Sequence, residues 1–490
     1  MQIEKLTLTN LGRFENLEVD FAPTADNPSN VTVFIGNNGA GKTSILDALA
    51  TSLSWFAARM RTQKGSGIVI DELAIIDTAP AASITLQLSD DIKTNTDVAL
   101  SSYQWTLVKA RKGRKSDKSS NLSQLTQLAD HYRQQLTDND SASLPLIAYY
   151  PVERSVLDIP LKIMGKHSFS QIEGYESALN QGVDFRRFFE WFREREDIEN
   201  EEKSRLSSRV ITGYIEDLAK AEDTVFGNGE NLGMSDTSTD NTGVVNETNR
   251  KFEKIAHIIK ILESKHQDKQ LNAVRTAISA FMPNLSNIRV QRKPRLHMAV
   301  DKNGQSLNVM QLSQGEKSLM ALVGDIARRL AMMNPELDNP LQGDGIILID
   351  EVDMHLHPSW QRNLVPRFTD TFPNCQIILS THSPLVISDQ KNILVYLLSH
   401  GEIGTLPPLY GADVNTVLLE AMDTDVRNPE INEKLNDLLD AIHDADIATD
   451  IDAAKILLAG LASDLPSSNM ALAKARLLLR KKELQLAKNN

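Results

Sequence analysis

The chain holds one cysteine, Cys375. A single thiol excludes a disulfide framework and a cysteine-ligated zinc site, and its setting, Asn374-Cys375-Gln376-Ile377-Ile378-Leu379, marks it as core and not a reactive group. No apolar run is long enough to cross a bilayer, and Met1-Gln2-Ile3-Glu4 does not open a signal peptide, so a cytoplasmic protein without membrane contact is expected. An excess of positive charge is also missing. The net charge of −13 excludes a uniform field for nucleic acid, and any such binding must use a local patch.

What is present is a globular composition, 41% hydrophobic and 24% charged, over 490 residues. That length exceeds one ordinary core and implies two or more structural units. The stretch that organises them is Gly36-Asn37-Asn38-Gly39-Ala40-Gly41-Lys42-Thr43, directly after the β-branched run Val31 to Ile35 and directly before Ser44-Ile45-Leu46-Asp47-Ala48-Leu49, which has helical spacing. Strand, glycine loop and helix form the context of a phosphate-binding loop. Glycines allow the tight turn that points successive N–H groups and the helix N-terminus at phosphate oxygens. Lys42 then sits on the β- and γ-phosphates of ATP, and the Thr43 hydroxyl ligates Mg²⁺.

Ahead of this loop, residues 2 to 21 alternate as two short strands around Asn10-Leu11-Gly12-Arg13, which makes Arg13 either a nucleotide contact or a solvated turn arginine. Behind it, Ile68-Val69-Ile70, Ala82 to Leu88 and Tyr103 to Val108 read as an antiparallel patch. The run Lys109 to Lys118 is the densest basic segment, either solvated or a contact for nucleic acid. Residues 184 to 220 and 250 to 280 have helical periodicity, and the Gly/Ser/Thr/Asn/Asp-rich segment 227–249 between them lacks the apolar residues to order itself. They form an inserted helical hairpin or an ordinary helical subdomain.

Two further apolar runs, Gly345 to Ile349 and Gln376 to Ser380, end in Asp350-Glu351 and Thr381-His382-Ser383-Pro384. Continuous apolar runs with polar ends are strands buried on both faces, so the centre is a mainly parallel sheet with its ligand at the carboxyl ends. Beyond Val414 the composition shifts to helical spacing from Pro429 to Asp464 and from Met470 to Lys488. The expected organisation is 1–165 and 286–410 as two parts of one α/β head, 166–285 as a helical insertion, and 411–490 as a helical tail.

Taken with Leu312-Ser313-Gln314-Gly315-Glu316-Lys317 and Ile346 to Glu351, the phosphate loop resembles those of the ABC-type ATPase superfamily, in its soluble branch of SMC, RecF and OLD-type proteins. The resemblance implies that Asp350 completes the Mg²⁺ shell, that Glu351 polarises the attacking water, and that His382 is the switch histidine contacting the γ-phosphate. It makes Val352 to Pro358 the D-loop, with Asp353 beside the nucleotide. His355 and His357 lack a further ligand for a metal site. Ser313, Gly315 and Glu316 form the signature, which in this superfamily binds ATP held by the other subunit. A chain with one phosphate loop and one signature is thus expected to work as a homodimer with ATP between the heads. Gln314 replaces the first glycine of the transporter form. The Q-loop slot falls after Tyr150, with Glu153 or Arg154 nearest.

Tyr149 to Pro160 and Tyr410 to Thr416 are similar to the ATPase subunit of Septu-type antiphage systems, PtuA, including the form in retron operons. That resemblance implies a separate HNH nuclease subunit as partner and, in retrons, control by a reverse transcriptase with its multicopy single-stranded DNA. The competing expectation is a RecF/Rad50-like DNA repair ATPase acting directly on DNA. An OLD-type nuclease is disfavoured because Asp444-Ala445-Asp446 continues the helical pattern of Leu435 to Ile442.

Overall fold

The computed structural model describes residues 1–93, 98–152, 169–180, 183, 185–226, 267–388, 390–407, 409–420, 422, 428–444, 448–466 and 469–489. The Q-loop candidates Glu153 and Arg154, the segment 227–249, the helical pattern at 250–266 and residues 445–446 lie outside them. The chain divides into two compact units, Met1–Tyr410 and Gly411–Asn490.

Six strands form the central sheet of the larger unit: β3 (Val31–Gly36), β6 (Leu146–Tyr150), β10 (Gly345–Ile349), β11 (Cys375–Ser380), β12 (Leu394–Ser399) and β13 (Glu402–Thr405). Their order is β13-β12-β3-β11-β10-β6, parallel throughout except for β13 at the edge. Every residue of β6, β10 and β11 is buried, as expected for strands covered on both faces. The mainly parallel α/β centre anticipated from the apolar runs is the architecture found.

Helix α1 (Lys42–Arg61) covers one face, burying Ile45, Leu46, Leu49, Leu53, Phe56 and Met60 at three-to-four spacing. Each such fully buried side chain contributes about 1.5–3 kcal/mol relative to exposure. A second, antiparallel sheet runs β2 (Phe14–Asp20), β1 (Gln2–Leu11), β4 (Ala81–Lys93), β5 (Val98–Ala110). The indole of buried Trp105 on β5 donates to Ser52 Oγ on α1 at 2.8 Å, pinning this sheet to the helix. The two sheets are joined at Gln376 on β11. Its side-chain nitrogen donates to the carbonyls of Ile3 (2.9 Å) and Ala22 (2.7 Å), and its oxygen accepts from Ile3 N at 2.7 Å. A buried amide so fully paired costs nothing in unsatisfied groups and fixes the register of β1.

Ile68-Val69-Ile70 is not a strand, contrary to expectation. Ser54 Oγ accepts from Ile68 N at 2.7 Å and Trp55 Nε1 donates to Ile68 O at 2.9 Å, so side chains of α1 occupy the backbone groups a ladder would use.

A third sheet, β7 (Leu285–Gln291), β8 (His297–Lys302) and β9 (Gln305–Asn308), precedes a long helix that packs on other helices and on β6. Further long helices of this unit are, in chain order, α2 (Ser123–Asp138), α3 (Phe185–Phe226), α4 (Lys269–Phe281) and α5 (Gln314–Met333). Phe188 of α3 packs on Gly324 of α5, where a Cβ would meet its ring at 2.9 Å. In the smaller unit α6 (Pro429–Asp444), α7 (Ala448–Asp464) and α8 (Met470–Asn489) close on a shared core that includes Leu438, Ala454 and Leu472. The periodic stretch from Pro429 to Asp464 is thus two helices with 445–447 between them. Among the described residues, no helix is long and apolar enough to cross a membrane.

Candidate functional site

The loop between β3 and α1 takes its shape from three glycines with positive φ, Gly36 (145°), Gly39 (75°) and Gly41 (110°). No side chain caps the first turn of α1, which leaves its N–H groups available to an anion. Lys42 Nζ curls back onto the carbonyls of Gly36 (2.8 Å) and Asn37 (3.2 Å). Burial lowers the Lys42 pKa, partly offset by Glu351, Asp350 and Asp353. Asn38 and Gly39 are exposed at the crest, Ala40 is buried, and Ser44 follows in the first turn of α1. Arg13 lies on this crest, its Nη2 3.2 Å from where a Cβ on Gly39 would stand. Phe14 packs beneath Gly41 in the same way.

The carboxyl ends of β10 and β11 bring the acids to the loop. Thr43 Oγ1 donates to Asp350 Oδ2 at 2.8 Å across 307 residues of chain. Asp350 is fully buried, and its other oxygen accepts from the Ser380 hydroxyl. That same Ser380 Oγ accepts from Glu351 N at 2.8 Å. Glu351 adopts a left-handed φ of 43°, a conformation that non-glycine residues hold at a cost of about 1 kcal/mol or more. His382 Nε2 stands 3.7 Å from Glu351 Oε1. Burial and the Lys42 charge hold the His382 pKa below its ordinary value despite the opposing pull of Glu351, Asp353 and Asp350. Asp353 accepts from the Thr381 hydroxyl and, at 3.3 Å, from His382 N. Sequence reasoning missed Ser380 and Thr381, although two hydroxyls at the end of an apolar strand were the available signal.

A cleft of about 780 Å³ opens beside Thr43 and Asp350, between α1, residues 68–74 and residues 149–152. Asp47 lines it and accepts from the Tyr149 hydroxyl at 2.8 Å. Burial raises the Asp47 pKa against that hydrogen bond, and Asp350 adds to the rise. Asp47 is another residue the motif reading passed over.

The signature is placed elsewhere. Ser313 caps α5 in a reciprocal capping box with Glu316, whose carboxylate also meets Lys302 Nζ at 2.6 Å. Burial pushes Glu316 upward, but Lys302 and Ser313 outweigh it and hold its pKa below the ordinary value. Gly315 faces the D-loop, where a Cβ would lie 2.3 Å from the carbonyl oxygen of His355. Farther along α5, buried Asp325 joins Arg328 Nη2 (2.7 Å), Arg329 Nε (2.7 Å) and the Tyr150 hydroxyl (3.0 Å). Tyr150 O in turn accepts from Asp350 N at 2.9 Å, so α5 is bonded to the strand beside the acids. Of the basic run, Lys112, Arg114, Lys115 and Lys118 are exposed, whereas Arg111 pairs with Asp77 at 3.0 Å.

This donor set suits a nucleoside triphosphate with Mg²⁺: a glycine loop under an uncapped helix, a lysine that donates to loop carbonyls, and a hydroxyl–carboxylate pair at one end.

The profile of the AAA domain family matches residues 5–293. The chain is 33% identical over 444 residues to the retron Ec83 probable ATPase of Escherichia coli, covering 88% of this chain and 78% of that protein. It is 35% identical over 398 residues to the retron Vc95 probable ATPase of Vibrio cholerae serotype O1 biovar El Tor, covering 78% and 72%. A shorter match joins it to the Septu protein PtuA of Bacillus mycoides (strain KBAB4), 42% identical over 74 residues, or 15% of this chain and 10% of that one.

Proposed function

The chain belongs to the AAA domain family and is an ABC-type ATPase related to those of retrons and Septu systems, and from that premise we propose that it hydrolyses ATP as the regulatory subunit of an antiphage defence complex. The observation that carries this reading is the gathering of Thr43, Asp350, Glu351 and His382 around one phosphate loop. Lys42 would exchange its loop carbonyls for phosphate oxygens. Thr43 and Asp350 would hold Mg²⁺, which when bound neutralises charge on the β- and γ-phosphates. Glu351 would orient and deprotonate the attacking water, and His382 would donate a hydrogen bond to the γ-phosphate.

Ser313 and Gly315 start a helix whose capping box and D-loop contact lie within their own chain. They are proposed to complete the site of a second copy, so that two heads close on two nucleotides. The separate HNH nuclease subunit, and a reverse transcriptase with its multicopy single-stranded DNA, are the partners proposed from the Septu and retron relatives.

A mixing experiment tests the shared site. Lys42→Ala and Ser313→Arg should each abolish hydrolysis alone. Mixed in equal amounts they should regain about a quarter of the wild-type rate, because half of random pairs are mixed and each holds one whole site of two. No recovery in pairs shown to have exchanged subunits would refute the two-chain site.

A further inference from the structure

The sheet order dictates which way a triphosphate lies on the loop. Asp350, Glu351, Asp353 and His382 follow β10 and β11, all on one side of β3, and the Lys42 ammonium is within the field of all three carboxylates. The γ-phosphate end belongs on that side. The nucleoside must then extend the other way across β3, toward β12.

On that side the chain makes a tight turn between β12 and β13, Ser399-His400-Gly401. The turn abuts the phosphate loop at two places. Leu398 is the register partner of Gly36, and its carbonyl approaches so closely that a Cβ on Gly36 would stand 2.3 Å away. Gly401 packs on the backbone of Arg13, 3.3 Å separating the Arg13 oxygen from the Cβ position. Arg13 in turn covers Gly39. Three loops of distant sequence thus form one rim, with His400 at its outer corner.

His400 itself is built to face outward. Its φ of 49° is a left-handed conformation more commonly given to glycine or asparagine, and its ring is exposed. The Ser399 hydroxyl lies 2.8 Å from Nδ1 and fixes the ring, leaving Nε2 directed away from that contact.

We propose that the Ser399–Gly401 turn is the nucleoside end of the nucleotide site, with the His400 imidazole packed against the base and ribose and the Arg13 guanidinium between it and the phosphates. This rests on reading Gly36 to Thr43 as the phosphate loop. A planar ring against a base contributes binding that does not depend on the phosphates.

Equilibrium binding of ATP and of inorganic tripolyphosphate to the full chain, each with Mg²⁺, separates the two ends. His400→Ala should weaken ATP about tenfold and leave tripolyphosphate unchanged, and His400→Phe should restore most of the ATP affinity. Equal losses for both ligands would overturn the proposal, because the turn would then merely support the loop, and so would no loss for either. Lys42→Ala should weaken both ligands. If it weakens neither, the failure is that of the phosphate-loop reading and not of the turn. Melting curves of His400→Ala matching the wild type confirm that the exposed substitution leaves the fold intact.

Discussion

Gly315 and His355 meet backbone to backbone: a Cβ on the glycine would lie 2.3 Å from the histidine carbonyl oxygen, and His355 holds a φ of 65° at that contact. The start of α5 and the loop at His355 therefore cannot move independently. Gly315→Ala should push them apart at a cost of about 1–3 kcal/mol and lower ATP turnover at least tenfold, as read from melting curves and phosphate release. Wild-type turnover in this variant would mean that the contact has no part in the reaction.

Glu351→Gln retains the side-chain shape and the Ser380 contact to its backbone but cannot take a proton. Hydrolysis should fall by about 10²-fold or more while ATP binding persists, and the dimer should accumulate with nucleotide bound. Phosphate release and light scattering check both. Hydrolysis at the wild-type rate would remove Glu351 from the chemistry.

The buried Asp325 cluster predicts a pH dependence. Burial alone raises the Asp325 carboxyl, but Arg329 and Arg328 outweigh it and bring it down to about 2 from an ordinary 3.8. A depressed folded-state pKa stabilises the fold above the unfolded value, so this contribution is intact above pH 3.8 and is lost as pH falls from there toward 2. Asp325→Asn leaves two buried arginines uncompensated and should cost about 3–5 kcal/mol at neutral pH. Its urea midpoint should also fall less steeply than that of the wild type as pH drops through that window.

The smaller unit closes on its own core yet leaves Ile456, Leu477 and Leu484 largely exposed. Deleting residues 430–490 should retain nucleotide binding and lose co-purification of the proposed nuclease subunit. Pull-down of the co-expressed subunit reads this directly, and an undiminished yield would assign docking to the larger unit.

What the amino-acid order determined by itself is local and contiguous. The phosphate loop demands glycines followed by lysine and threonine, and fully buried strands demand unbroken apolar runs, so Gly36 to Thr43 and the strands before Asp350 and Thr381 could be read directly. The helix opening at Ser313 was legible for the same reason, since a capping box spans only four residues.

Tertiary structure decided whatever depends on partners far along the chain. Ile68 to Ile70 has the composition of a strand, but Ser54 and Trp55 of α1 claim its backbone first. Ser380 holds both Asp350 and Glu351, and Asp47 meets Tyr149 across 102 residues. The His400 turn reaches Arg13 only because β12 pairs with β3. Periodicity records which face of an element is apolar. Which hydroxyl, amide or carbonyl waits on the other side is set by how the sheets and α1 stack, and one residue's neighbours in sequence carry no record of that.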